Sequence, residues 1–146
     1  TVRGVPDKPG IAAHILNEIG KANINVDMIV QNVGADVTTD FTFTVHRGDY
    51  KKALDILKRV SQELKAREVS GDDKIVKISV VGVGMRSHAG IASQMFKTLA
   101  DEGINIQMIS TSEIKISVVV DEKYLELGVR ALHTAFGLEK SNKSPV

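Results

Sequence analysis

Gly90-Ile91-Ala92, followed a helix-length later by Ile104-Asn105-Ile106-Gln107-Met108-Ile109, decides how this chain is read, because the same pattern stands eighty positions earlier. There it is Gly10-Ile11-Ala12 and then Ile24-Asn25-Val26-Asp27-Met28-Ile29, and Gly84 likewise falls on Gly4. A fixed internal repeat of this length means one supersecondary unit used twice.

Working outward from the first copy, Thr1–Val5 reads as a short strand and Pro6-Asp7-Lys8-Pro9-Gly10 as a loop dense in turn residues. The spacing of Ile11, Ile15 and Ile19 predicts a helix over 10–22 with one apolar stripe. Asn23, which tolerates the left-handed conformation, ends it. A strand is expected over 24–33, with Val26, Met28 and Val30 on one face and Asp27, Ile29 and Gln31 on the other. The next strand, 39–45, alternates Phe41, Phe43 and Val45 against Asp40, Thr42 and Thr44. Asp49 is the expected N-cap of a second helix whose stripe is Ala53, Leu57, Val60 and Leu64. A short fourth strand fits 67–70, and Ser70–Lys74 is the boundary between copies.

The second copy repeats the order. A strand over 74–83 leads into the loop Gly84–Gly90 and a helix over 89–102 carrying Ile91, Met95 and Leu99, which Gly103 ends. Strands over 105–112 and 113–120 follow, with Asn25 and Asn105 beginning equivalent strands. Asp121 then caps a helix over 122–136 whose apolar residues are Leu125, Val129, Leu132 and Phe136. The expected fold class is α+β: two ferredoxin-like βαββαβ units, each an antiparallel sheet with its helices on one face. The units are expected at 1–70 and 75–137, the second without its closing strand, and 138–146 as a mobile tail. The chain opens on a strand with no starting Met and is expected to be part of something longer.

A net charge of +1, with both signs mixed, gives no electrostatic case for nucleic acid or an anionic membrane. No apolar run is long enough to span a bilayer, and with no cysteine there is no thiolate chemistry and no Cys-based metal site. The expectation is a cytoplasmic protein. His14, His46, His88 and His133 show no metal-ligand spacing. Gly82-Val83-Gly84 follows a strand but lacks the third glycine and the βαβ context of a dinucleotide site. No catalytic constellation is recognisable, so catalytic and metal residues are expected to be none.

The chemistry concentrates at the loop entering each first helix. Backbone N–H groups at a helix start point outward and attract anions, and Gly10 lets a ligand approach closely. A carboxylate fits on the amides of Gly10, Ile11 and Ala12, with Asp7 placed for an ammonium group, so both charges of a free amino acid are met. The plainer alternative, preferred on this loop alone, is that Asp7 caps the helix and Pro9-Gly10 makes the turn. Ser87 and Gly90 are the counterparts in copy two. Asn25 with Val26, and Asn105 with Ile106, put a neutral amide after each helix, suited to a ligand's polar groups or to its own backbone. Gln31 in copy one, and Ser112 and Glu113 in copy two, are polar endings on strands that begin apolar.

Taken together, Gly4–Gly10, Ile24–Asn32, Thr38–Thr44, Val81–Gly90, Asn105–Ile114 and Val129–His133 resemble tandem ACT domains, specifically the C-terminal regulatory region of aspartate kinases. The resemblance implies a sensor rather than a catalyst. Kinase chemistry, with ATP and Mg, would belong to a separate catalytic domain or subunit, leaving no cofactor in this chain. The implied effectors are threonine and/or lysine, bound where two ACT units meet. The positions matching the family's contacts are Asp7, Gly10, Ile11, Ala12 and Gln31, with Asn105, Ile106, Ser112 and Glu113 from the other unit. This reverses the preference for Asp7 as a mere cap. The resemblance also implies a homodimer through ACT units, with a segment before the first unit completing the second unit's sheet. The competing reading is a structural dimerisation module with a vestigial site.

Overall fold

The computed structural model describes residues 1–34, 36–82 and 88–137, and divides the chain into two compact units, Thr1–Asp73 and Lys74–Val146. In the first unit the order is β1 (Val2–Pro6), α1 (Ile11–Lys21), β2 (Val26–Val33), β3 (Thr38–Val45), α2 (Tyr50–Leu64) and β4 (Glu68–Val69). The four strands form one sheet in the order β2-β3-β1-β4, with every pairing antiparallel. This is the ferredoxin-like arrangement that the repeat predicts. Ile15 and Ile19 of α1 and Ala53, Leu57 and Val60 of α2 close over Val2, Val5 and Phe41 of the sheet. Each large aliphatic buried this way stabilises the fold by about 1.5–3 kcal/mol.

The second unit runs β5 (Ile75–Val81), α3 (His88–Asp101), β6 (Met108–Thr111), β7 (Lys115–Asp121) and α4 (Leu125–Ala135). Its sheet is three-stranded, β5-β7-β6, so among the described residues β5 has β7 on one side and no counterpart of β4 on the other. Met95, Leu99, Ile104, Ile116, Val118, Val120 and Leu132 make its core. The loop 83–87, with Ser87, and the tail 138–146 lie outside the described residues, as does the His88 side chain.

Helix ends follow local chemistry. Asn23 (φ 59°) and Gly103 (φ 72°) take the left-handed conformation just past α1 and α3. Ile24 and Ile104 still donate their N–H groups back to Ile19 and Leu99, at 3.4 and 2.9 Å. Asn25 and Asn105 consequently do not begin strands. They sit in the bend between helix and strand, and β6 starts only at Met108. Asp49 stands at the N-cap position of α2 but makes no side-chain capping bond. A single 3-10 turn, Arg47–Asp49, leads into the helix and ties the Asp49 N–H to the His46 carbonyl. Asp121 does cap its helix entry, its carboxylate accepting from the Lys123 N–H at 3.0 Å.

Two faces differ from expectation. In α4, Leu125 and Val129 are 42% and 45% exposed, while Gly128 and Leu132 are buried. The helix lies so close to the sheet that a Cβ on Gly128 would come within 2.9 Å of Ile78 Cδ1, so a glycine marks the contact line where a large apolar residue was expected. In β2 the pairing with β3 is irregular between Val26 and Ile29. Beyond it, Ile29, Gln31 and Val33 stand opposite Phe43, Phe41 and Thr39, on the side of the sheet that carries the core. An extra residue in one strand turns every later side chain over, which simple alternation cannot reveal.

Candidate functional site

The loop after β1 is anchored by the backbone. Asp7 donates its N–H to Val37 O at 3.1 Å, fastening the loop to the β2–β3 hairpin. Lys8 donates to Pro6 O at 3.0 Å and tightens the bend. Gly10 then adopts φ 90°, ψ −10° at the N-cap of α1, where no side chain supplies a capping bond. Asp7 therefore does not cap the helix. Its side chain is exposed and has no hydrogen bond or ion pair among the described residues. In the first turn of α1 the N–H groups of Ala12 and Ala13 have no acceptor among the described residues, while Ile11 reaches Lys8 O only at 3.4 Å. Unpartnered amides follow one glycine in the chain and an unpartnered carboxylate precedes it, and apart from its chain neighbours nothing lies within 4 Å of where a Gly10 Cβ would be.

Replacing Gly10 with alanine is expected to be tolerated by packing but strained in the backbone, at about 1–2 kcal/mol for a left-handed L-residue. A thermal melt checks that loss. A much larger loss would show that the loop packs more tightly than this geometry allows.

Gln31 lies on β2, on the core side, and is exposed at the sheet edge. Its Nε2 donates to Thr39 Oγ1 at 3.2 Å, and Thr39, 1% exposed, donates its own proton to Asn32 O at 2.9 Å. Thr39 pairs with Val5 in β1, two residues before Asp7, so Gln31 and the loop share one end of the unit. At the same end, Asp36 is held below the usual carboxylate range, chiefly by the Thr38 hydroxyl at 2.6 Å, with Arg67 3.9 Å away adding to it. Reading the sequence left Thr39 out. Its place in the alternation with Phe41 and Phe43 was the available signal.

Asn25 and Val26 lie at the opposite end. Val26 pairs with Val45, and α1, about 16 Å long at 1.5 Å per residue, separates Asn25 from Gly10. The second unit is laid out alike. Gly90 is in the first turn of α3, and Asn105 and Ile106 follow its far end, Asn105 exposed and Ile106 packed on the core. Ser112 and Glu113 form the β6–β7 turn, where Ser112 donates its N–H to Lys115 O at 2.7 Å and Gly82 donates to Ile114 O at 2.8 Å. That turn is at the end where β5 finishes, mirroring the link between Asp7 and Val37. No single unit brings its helix-start residues together with its own Asn25-Val26 or Asn105-Ile106 pair. No group of metal-ligating side chains occurs among the described residues, and no helix there is long and apolar enough to cross a membrane.

Comparison with known proteins places this geometry. ACT domain families match residues 1–62 and 78–136. The aspartokinase of Pseudomonas aeruginosa is 68% identical over 139 residues, which is 95% of this chain and 34% of that protein. The chain thus spans about a third of the length of the curated relatives it matches. A solved structure of aspartokinase alpha and beta subunits is similar at 60% identity, covering 93% of this chain and 89% of that one, with a TM-score of 0.86. The ligand-free regulatory subunit of aspartate kinase from Thermus thermophilus is 39% identical over 92% of this chain and 89% of its own, with a TM-score of 0.85. At 23% identity and a TM-score of 0.61, covering 87% of this chain and 27% of that one, E. coli aspartokinase III in complex with lysine and aspartate shares the fold. Two ACT units, matched along nearly their whole length by a regulatory subunit, make this chain a member of the aspartate kinase family, as its tandem ACT-domain regulatory region.

Proposed function

We propose that the chain senses a free amino acid, threonine and/or lysine, and through it feedback-inhibits an aspartate kinase. One observation carries the reading: the amides of the α1 start and the Asp7 carboxylate, which come just after and just before Gly10 in the chain, have no partner among the described residues. Amides at a helix start take a carboxylate, and Asp7 takes the ammonium. The lysine in the E. coli complex supports an amino acid as the ligand class.

The layout supports a site shared between units. Asn105 and Ile106 cannot meet the start of their own helix, since α3 of 14 residues separates them by about 21 Å. Offered to Asp7 and Gln31 of a different ACT unit, they complete the ligand's surroundings. The proposed assembly is a homodimer through ACT units, working with a kinase catalytic domain or subunit that holds ATP and Mg. Inhibition follows if the effector binds better to the closed pairing of units than to the open one and shifts the population toward it.

Calorimetric titration with threonine, with lysine and with both tests this. Heat of binding and a concentration-dependent rise in melting temperature are expected. At a ligand concentration of 100 Kd the rise corresponds to about 2.7 kcal/mol. A dimer whose stability ignores both amino acids would instead establish the structural module.

A further inference from the structure

We propose that Tyr50 and Gly71 form a clamp on the stretch joining the two units, holding the chain against the first unit as far as Gly71 and confining any bending to Asp72 and Asp73. The proposal is independent of the amino-acid reading above, and its readouts are taken without a ligand.

The joining stretch is tied at both ends. On the first unit the pairing of β1 with β4 continues past Val69: Ser70 donates its N–H to Thr1 O at 3.0 Å, and the Thr1 amino group donates to Ser70 O at 2.8 Å. On the second unit Glu122 donates its N–H to Lys74 O at 2.9 Å. Between these ties the Gly71 backbone passes against the Tyr50 ring. A Cβ on Gly71 would lie 2.6 Å from the Tyr50 hydroxyl oxygen and 2.9 and 3.0 Å from the ring carbons Cε1 and Cζ, too close for any side chain unless the ring moves. Gly71 is not among the glycines with a left-handed φ, so the ring, not the backbone conformation, is what calls for glycine.

The ring is held in place from below. Tyr50 is the first residue of α2 and follows directly on the 3-10 turn Arg47–Asp49. A helix start of this kind does not itself call for an aromatic side chain. In the second unit α4 also follows a 3-10 turn, Glu122–Tyr124, and its first residue is Leu125, 42% exposed. The ring thus stands in the copy from which the joining stretch departs. A hinge confined to Asp72 and Asp73 passes a movement of one unit on to the other, where a longer loose stretch would absorb it.

Gly71→Ala separates the clamp from the fold. The atoms it displaces are the far end of one side chain, so the melting temperature should stay within about 2 °C of the wild type. The Tyr50 ring resonances should shift as the ring swings aside. Alanine is by itself stiffer than glycine, having fewer backbone conformations to visit. A looser junction in the alanine variant therefore arises only from the lost contact. By 15N relaxation NMR on the full chain, the amide of residue 71 is expected to have an order parameter of about 0.85 in the wild type and below about 0.6 in Gly71→Ala. Tyr50→Leu, which places the second unit's residue at this position, is expected to give the same drop. A wild-type value already below about 0.6, or two variants as ordered as the wild type, overturns the clamp. So do Tyr50 ring resonances that Gly71→Ala leaves unmoved.

Discussion

Asp7→Ala is expected to weaken effector binding about 10- to 100-fold, as losing one charge-assisted hydrogen bond of about 1.5–3 kcal/mol implies. The melting temperature of the unliganded protein should barely move. The two expectations separate because the Asp7 side chain makes no hydrogen bond or ion pair among the described residues, and its anchoring role runs through its backbone N–H to Val37 O, which alanine keeps. Asp7→Asn should lose nearly as much affinity, since it retains the shape but not the charge that meets an ammonium. Calorimetry with the effector and a melt without it check both halves. Unchanged affinity beside a drop of several degrees would mean that the carboxylate serves the fold.

The largest effect on stability is expected from Leu99→Ala. Leu99 is 0% exposed in α3 and packs within the cluster of Met95, Ile78, Ile104, Ile116, Val118 and Leu132. Truncating a leucine in such a place costs about 2–5 kcal/mol, because lost transfer energy adds to an unfilled cavity. For a unit of this size that is a shift of about 10–30 °C. The second unit has a smaller sheet than the first and correspondingly less to lose. Each unit carries one tyrosine, Tyr50 in the first and Tyr124 in the second, so Tyr→Phe backgrounds let the melting of each be followed alone. A Leu99→Ala protein whose Tyr124 signal melts within about 2 °C of the wild type would contradict the core described here.

The exposed amides on which the proposed site rests could be read at Gly10, because a turn-rich loop before a periodic apolar stripe already implies them at a helix start. The choice between Asp7 as cap and Asp7 as ligand group could not be made there. Capping depends on where one carboxylate points, and Gly10 at φ 90° takes the N-cap position itself. Thr39 escaped notice for a related reason. Its two hydrogen bonds exist only once β3 is paired with β2 and the hydroxyl lies against both Gln31 and Asn32 O.

By itself the sequence determined the duplication, the order of strands and helices, and the apolar stripes of α1, α2 and α3, since these follow from local spacing and turn chemistry. Tertiary structure alone decided which side of β2 carries Gln31, because the irregularity after Val26 inverts the alternation. It also decided which face of α4 is buried, because close approach to Ile78 selects the line through Gly128 over the more hydrophobic one through Leu125 and Val129. Periodicity along a chain reports what a segment can bury. Which face it does bury depends on the fit against its neighbours, and that is settled only when they pack.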